Sequence, residues 1–267
     1  MFPLQWAQVS DINSRKLILL AVAFAATVAM FLFDRMPQDA QYHFFADTET
    51  LAGWANFWNV ISNAPFLVVG AFAFWRVPRL AERECLSAYV VLATGITLVG
   101  FGSAYYHYVP ANATLFWDRL PMTVAFMALF SIILGERVIS AYKTAVLLLL
   151  VSLGMAAVVY WLWTEVNGRG DLRPYAVVQF LPLILMPFIM LLFPRKYLNN
   201  RYLLYAFAWY LIAKLLEQSD HQILAVTNVI GGHPLKHIAA AAAALCAVAA
   251  VPVVVPDKLS KLPGSSS

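Results

Sequence analysis

The sequence predicts an all-α, polytopic transmembrane helical bundle, and three observations predict it. Hydrophobic residues make up 62% of the chain and charged residues 12%, against about 45–50% and about 25% in soluble domains. The apolar residues are gathered into long uncharged runs. One helical crossing needs about 20 such residues, because lipid offers backbone N–H and C=O groups no outside partner. Lys and Arg, finally, alternate between rich and poor loops along the chain.

Eight runs can span: Leu17–Phe33, Asn56–Trp75, Leu86–His107, Leu120–Gly135, Thr144–Trp163, Tyr175–Phe193, Tyr202–Leu216 and His237–Val255. The fourth and seventh are short and extend through Glu136 and Lys214. The first follows Arg15-Lys16 as a signal peptide would. It exits through Phe31-Leu32-Phe33-Asp34-Arg35, without the small residues of a cleavage site, so a retained helix is expected. Connections are short and rich in breakers, as at Val77-Pro78 and Asn167-Gly168-Arg169-Gly170, and the tail 257–267 reads as disordered.

Loop charge orients the helices. Twelve Lys and Arg fall in the N-terminal segment, the even loops and the C-terminal tail, against six on the opposite side. The positive-inside rule puts both termini in the cytoplasm. The net charge of +4 is spread through loops, which argues against nucleic-acid binding. Cys85 and Cys246 have no metal or redox spacing and read as small buried side chains.

The polar residues gather at one level, the outer helix ends. They are Asn56, Asn59, Ser62 and Asn63 on the second run, Ser103 and His107 on the third, Asp118 before the fourth, and Glu217, Asp220, His233 and His237 around the seventh and eighth. Ionisable groups within spans are costly, so a functional site is the default reading. Pro234 suits a first helical position, which places His233 and His237 at i and i+4 on one face. His107 adds a third imidazole from another helix, completing a ligand set for a catalytic zinc with a fourth position open to water. Asp118 returns to the same level as a carboxylate able to orient or deprotonate water. His43 and His221 fall in a loop and a fraying helix end and are expected to be solvated.

The ordered set Asn59-x-x-Ser62-Asn63, Ser103-x-x-x-His107, Asp118 and His233-x-x-x-His237 resembles the alkaline ceramidase family, one of a wider group of seven-helix hydrolases that includes adiponectin-type receptors. Phe57-Trp58-Asn59-Val60-Ile61-Ser62-Asn63 and Trp117-Asp118-Arg119-Leu120-Pro121-Met122 strengthen the likeness, which covers about residues 47–255. It implies a seven-helix hydrolase core, here 36–256, behind an extra N-terminal transmembrane helix in residues 1–35. It also implies Zn²⁺ on His107, His233 and His237, with Ser103 and Asp118 contacting the activated water. The substrate would be ceramide or a related N-acyl sphingoid lipid, cleaved to fatty acid and amine.

Asn59, Ser62 and Asn63 are expected at the substrate. Glu217 and Asp220 would hold its hydroxyls or amine, or else pair with Lys214 or Lys236. The family's acidic Ca²⁺ site has only Asp47, Glu49 and Asn56 to offer here, with asparagine where an acid is expected.

Two rivals are a receptor with a structural zinc and a metal transporter. A structural zinc is normally closed by four protein ligands, and the inner halves of the spans look almost wholly apolar, so the hydrolase reading leads. Short loops and tails suggest a bacterial inner membrane, with the site facing the periplasm.

Overall fold

A computed structural model describes residues 3–254, with side chains from residue 12 onward. The tail expected to be disordered lies outside the described residues. All regular structure in them is helical. The helices are α1 Pro3–Phe31, α2 Phe57–Ile61, α3 Ala64–Arg76, α4 Leu86–Tyr108, α5 Asn112–Arg137, α6 Lys143–Val166, α7 Arg173–Leu192, α8 Asn200–Gln218, α9 Asp220–Thr227 and α10 Gly232–Ala250.

Seven segments are long and apolar enough to cross a membrane, including Phe57–Arg79, which joins α2 and α3. The protein is a multi-pass membrane bundle. The expected eight runs differ from these seven at one place. At 19 residues, α8 has the length of α10, but Asn200, Arg201, Lys214 and Glu217 dilute its apolarity. Its Leu204, Leu211, Ile212 and Leu215 remain exposed, as on a face turned to lipid.

Neighbours in sequence pack as neighbours in space, which short connections dictate. From α3 the order runs through α4, α5 and α6 to α7, and on the other side from α3 through α10 to α8. The last link is missing, because α7 and α8 do not pack closely on one another. The extra helix α1 lies against α7 on the outside of the bundle and is almost unburied.

At one end of the bundle, Glu136 and Arg137 finish α5 as a buried ion pair 2.6 Å apart. Glu136 Oε1 accepts the backbone N–H groups of Lys196, Tyr197 and Leu198, at 2.6, 2.9 and 3.1 Å. Arg137 donates to Phe193 O and to Asn200 Oδ1. The knot fixes the loop from α7 to α8, so the gap between those helices is held open by anchored ends.

At the opposite end, residues 34–56 fold across the helix tips. Met36 O accepts Leu172 N–H at 2.8 Å, and Asp220 Oδ2 accepts Ala46 N–H at 2.9 Å. His43 is half-buried and bonded through its two ring nitrogens to Tyr106 OH and Asn112 Oδ1, each at 3.0 Å. That corrects the expectation of a solvated side chain: the histidine pins this segment to α4 and α5. His221 is exposed, as expected.

Candidate metal and hydrolytic site

Three imidazoles meet beneath that lid. His107 ends the last turn of α4, and His233 and His237 occupy the first two turns of α10. All three are buried, and one ring nitrogen from each lies within 4.8 Å of the others. Ring centroids are separated by 4.6 Å for His107–His237, 4.9 Å for His107–His233 and 5.1 Å for His233–His237. Phe45 of the lid covers them, 4.7 Å from both His107 and His233.

Local sequence explains the placement. The helix α10 begins at Gly232, so Pro234 sits two residues further in than the first position but still within the turn whose N–H groups have no helical acceptor. Asp220 Oδ1 accepts the N–H of His233 at 2.8 Å instead. Any side chain at Gly232 would strike the carbonyl of Leu216, its Cβ 2.2 Å from that oxygen, so glycine lets α10 approach α8 here. Gly102 does the same between α4 and α5, where a Cβ would lie 2.0 Å from Trp117 O. That contact sets Ser103 beside Asp118, and the two line one cavity. Both are buried.

The free valences point to a cation. Neither ring nitrogen of His107 has a hydrogen-bond partner, nor has Nε2 of His237. A buried imidazole without partners forfeits the cost of its desolvation unless another ligand takes the lone pair. His237 Nδ1 is 2.8 Å from Ser62 Oγ, the outer-shell bond that fixes the tautomer of a metal-ligating histidine. Three neutral nitrogen donors suit a divalent transition metal, and among the described residues this is the one group of three or more His, Cys, Asp or Glu able to hold such an ion.

The other expected residues divide by what they touch. Asn59 is fully buried and donates to Asp47 O at 2.8 Å. Asn63 donates to Asn59 O at 2.8 Å and lies 3.5 Å from His237 Nδ1. With Ser62 they form a support behind His237, at the break between α2 and α3. Glu217 takes Lys214 at 2.6 Å and Lys236 at 3.1 Å. Both oxygens of Asp220 are engaged by backbone N–H groups, of Ala46 and His233.

Asp47, Glu49 and Asn56 share one loop, and Asp47 Oδ2 has no partner. Asn56, however, is left-handed at φ 51° and turns its amide to His107 O at 2.8 Å. Desolvation raises the Asp47 carboxyl above its ordinary value, with Glu49 and Asp220 adding to the effect.

The charges counted as outer loop residues prove to be part of the site. Lys236 Nζ lies 3.0 Å from His233 Nε2. Arg119 is buried and lines the same cavity as Ser103, Asp118 and His237. Its neighbour Asp118 was the only signal in sequence, since a basic residue at a helix head is ordinary topology control. The cavity holds about 790 Å³ and runs from these residues inward along α5, α7, α8 and α10 as far as Asn200. Away from its polar head its wall is apolar, and it lies along the gap between α7 and α8.

A comparison with curated proteins found no match. A sequence model of the Ceramidase family matches residues 48–255, a span that begins after α1 and takes in the three histidines, Ser103 and Asp118. The chain therefore belongs to the Ceramidase family.

Proposed function

We propose that the protein hydrolyses the amide bond of ceramide-like N-acyl sphingoid lipids, using zinc held by His107, His233 and His237. Family membership supports a ceramidase-type hydrolase. The observation that carries the finer reading is the set of unpartnered, buried imidazole nitrogens at the polar head of an apolar cavity. Bound zinc would supply Lewis acidity and bring the pKa of a coordinated water toward ~7.

The chain's own residues do the rest. Asp118 accepts the proton of the attacking water and passes it to the amide nitrogen as the C–N bond breaks, since an unprotonated amine is a poor leaving group. Water oxygen becomes part of the fatty acid, and the proton leaves on the sphingoid amine. Ser103, beside Asp118 in the cavity wall, is placed to donate a hydrogen bond to the carboxylate and orient the base. Ser62 and Asn63 position His237. Acyl and sphingoid tails lie in the cavity and enter from the bilayer between α7 and α8, while Phe45 and the 34–56 lid restrict bulk water.

The catalytic unit is residues 36–256, with α1 an addition outside it. The charge of the loops supports cytoplasmic termini and a site on the opposite face; the short loops favour a bacterial inner membrane, which would make that face periplasmic. Cysteines placed at Arg79 and Asn167 should then label from opposite faces of sealed membranes.

Mass spectrometry tests the chemistry. Purified protein given N-palmitoyl sphingosine should release palmitate and sphingosine in equal amounts, lose the activity to chelation and regain it with zinc. His237→Ala should lose the metal. Metal retained at full stoichiometry with no product from any N-acyl lipid would make the chain a receptor-like protein with a structural ion.

A further inference from the structure

The described residues lining the cavity include three cations, Arg119, Lys214 and Lys236, and two carboxylates, Asp118 and Glu217. Lys214 and Lys236 share Glu217 between them, at 2.6 and 3.1 Å. Arg119 makes no ion pair among the described residues. Its Nη2 donates to Gln38 Oε1 at 2.7 Å, while Nη1 has no partner although the residue is only 5% exposed. What surrounds it is aromatic: the guanidinium carbon lies 4.3 Å from the ring centre of Trp161, 4.8 Å from Tyr175 and 5.5 Å from Tyr42. Tyr42 also lines the cavity, together with Lys214 and Lys236.

Aromatic faces hold a guanidinium but do not neutralise it, and a buried charge without a counter-charge is costly. This chain closes such a charge when its role is structural. Arg137, equally buried, has Glu136 and two further acceptors. Arg119 is instead rigidly stacked with a donor left over, at the polar end of an otherwise apolar cavity. A planar fork of that kind is suited to a carboxylate, sulfonate or phosphate.

We infer that Arg119, with Lys214 and Lys236, forms an anion subsite that takes a negatively charged group on the amine half of the lipid substrate. The inference rests on the hydrolase reading and narrows it, to N-acyl sphingoid lipids bearing an anionic group near the amide rather than neutral ceramide. The same chemistry could come from the carboxylate of released fatty acid. That group arises at the histidines, whereas Arg119 stands on Trp161 and Tyr175, which favours the substrate's own anion.

The test uses metal-loaded protein in nanodiscs and two lipids that differ only at C1, N-palmitoyl sphinganine and its 1-phosphate. The phosphate should be hydrolysed with the higher kcat/KM, by about tenfold or more, the worth of one good charge-assisted contact. Arg119→Gln should erase the preference, lowering the value for the phosphate by about tenfold more than that for the neutral lipid. Arg119→Lys, which keeps the charge and the stacking stem, should retain part of it. Lys214→Gln, at a half-exposed position, should reduce it with little risk to the fold.

Equal turnover of both lipids by the wild type overturns the subsite, as does a preference that survives Arg119→Gln. Palmitate inhibition relieved by Arg119→Gln, with the two amides equal, overturns it in favour of a product site. A binding arm separates these failures from failure of the enzyme reading. Hexadecane sulfonate should quench tryptophan fluorescence at lower concentration than hexadecanol, and Arg119→Gln should abolish the difference. That result with no hydrolysis of any lipid would keep the anion subsite and reject the hydrolase; no difference between the two amphiphiles would reject the subsite.

Discussion

The two ends of α5 bury charge in opposite ways. At its C-terminal end, Glu136 and Arg137 neutralise one another as an ion pair and engage the 196–198 backbone, Phe193 and Asn200. At its N-terminal end, Asp118 and Arg119 line one cavity with His237, and neither Nη1 of Arg119 nor Nε2 of His237 has a protein partner or a counter-charge in contact. Both ends are buried in a low dielectric, where unpaired polar groups are costly. A neutralised network stabilises and orients a loop. One left without partners holds its cost in reserve for a ligand.

The comparison predicts a division of labour, most sharply at Asp118. Asp118→Asn should keep the fold and the metal and slow hydrolysis by about 10²–10⁴-fold, the usual worth of a positioned acid–base group. Metal content measured beside turnover decides the role. Metal lost together with activity would make Asp118 a ligand or its support. Glu136→Ala should do the reverse, lowering stability by about 3–5 kcal/mol because Arg137 is left buried without its counter-charge. Thermal unfolding in detergent reads that loss, and folded Glu136→Ala protein should hydrolyse at the wild-type rate. A stable but inactive Glu136→Ala would break the contrast between the two ends.

Ser62→Ala sharpens the N-terminal end further. Loss of an outer-shell partner of a ligating histidine should weaken metal affinity by about 10–100-fold, with turnover at saturating metal nearly unchanged. Competition with a chromophoric chelator measures it. The smallest effect is expected at Asp47, whose folded-state pKa is raised by burial. A carboxyl shifted upward binds more protons folded than unfolded, so stability falls as pH rises from the ordinary value near 3.8 through the folded one. Asp47→Asn should therefore melt about 1–3 °C higher at pH 7 and show no gain at pH 3. Calcium that stabilises the wild type and not Asp47→Asn would mark that orphan oxygen as a cation site.

The spans were legible because a bilayer imposes one length and one composition, and seven of eight runs meet that test. The run that fails it, α8, was dimmed by Lys214 and Glu217, the residues it contributes to the cavity head. The metal cluster was legible because histidine is rare here, with 5 in 267 residues, and because His233 and His237 declare their shared face by spacing alone. The break between α2 and α3 was signalled by Pro65, which opens α3, yet Asn56–Trp75 reads as one unbroken run. That break turns Asn59, Ser62 and Asn63 toward His237 and Asp47. Pairings across distance left no trace in sequence. Glu136 finds the 196–198 backbone some sixty residues on, and Arg119 looks in a one-dimensional reading like any basic residue at a membrane edge.

The cavity itself has a consequence for how the protein must be handled. Ala240, Ala243, Ala244 and Ala247 form its wall on α10, and methyl groups there leave open what longer side chains would fill. Wall atoms facing a void have no dispersion partners. Whatever chain enters supplies them, so the folded state and the occupied state are coupled by mass action. A lipid at a hundred times its Kd adds about 2.7 kcal/mol to the folding equilibrium. A bilayer component that fills the cavity would in this sense become part of the folded protein, and a detergent that stripped it would remove packing the sequence does not provide.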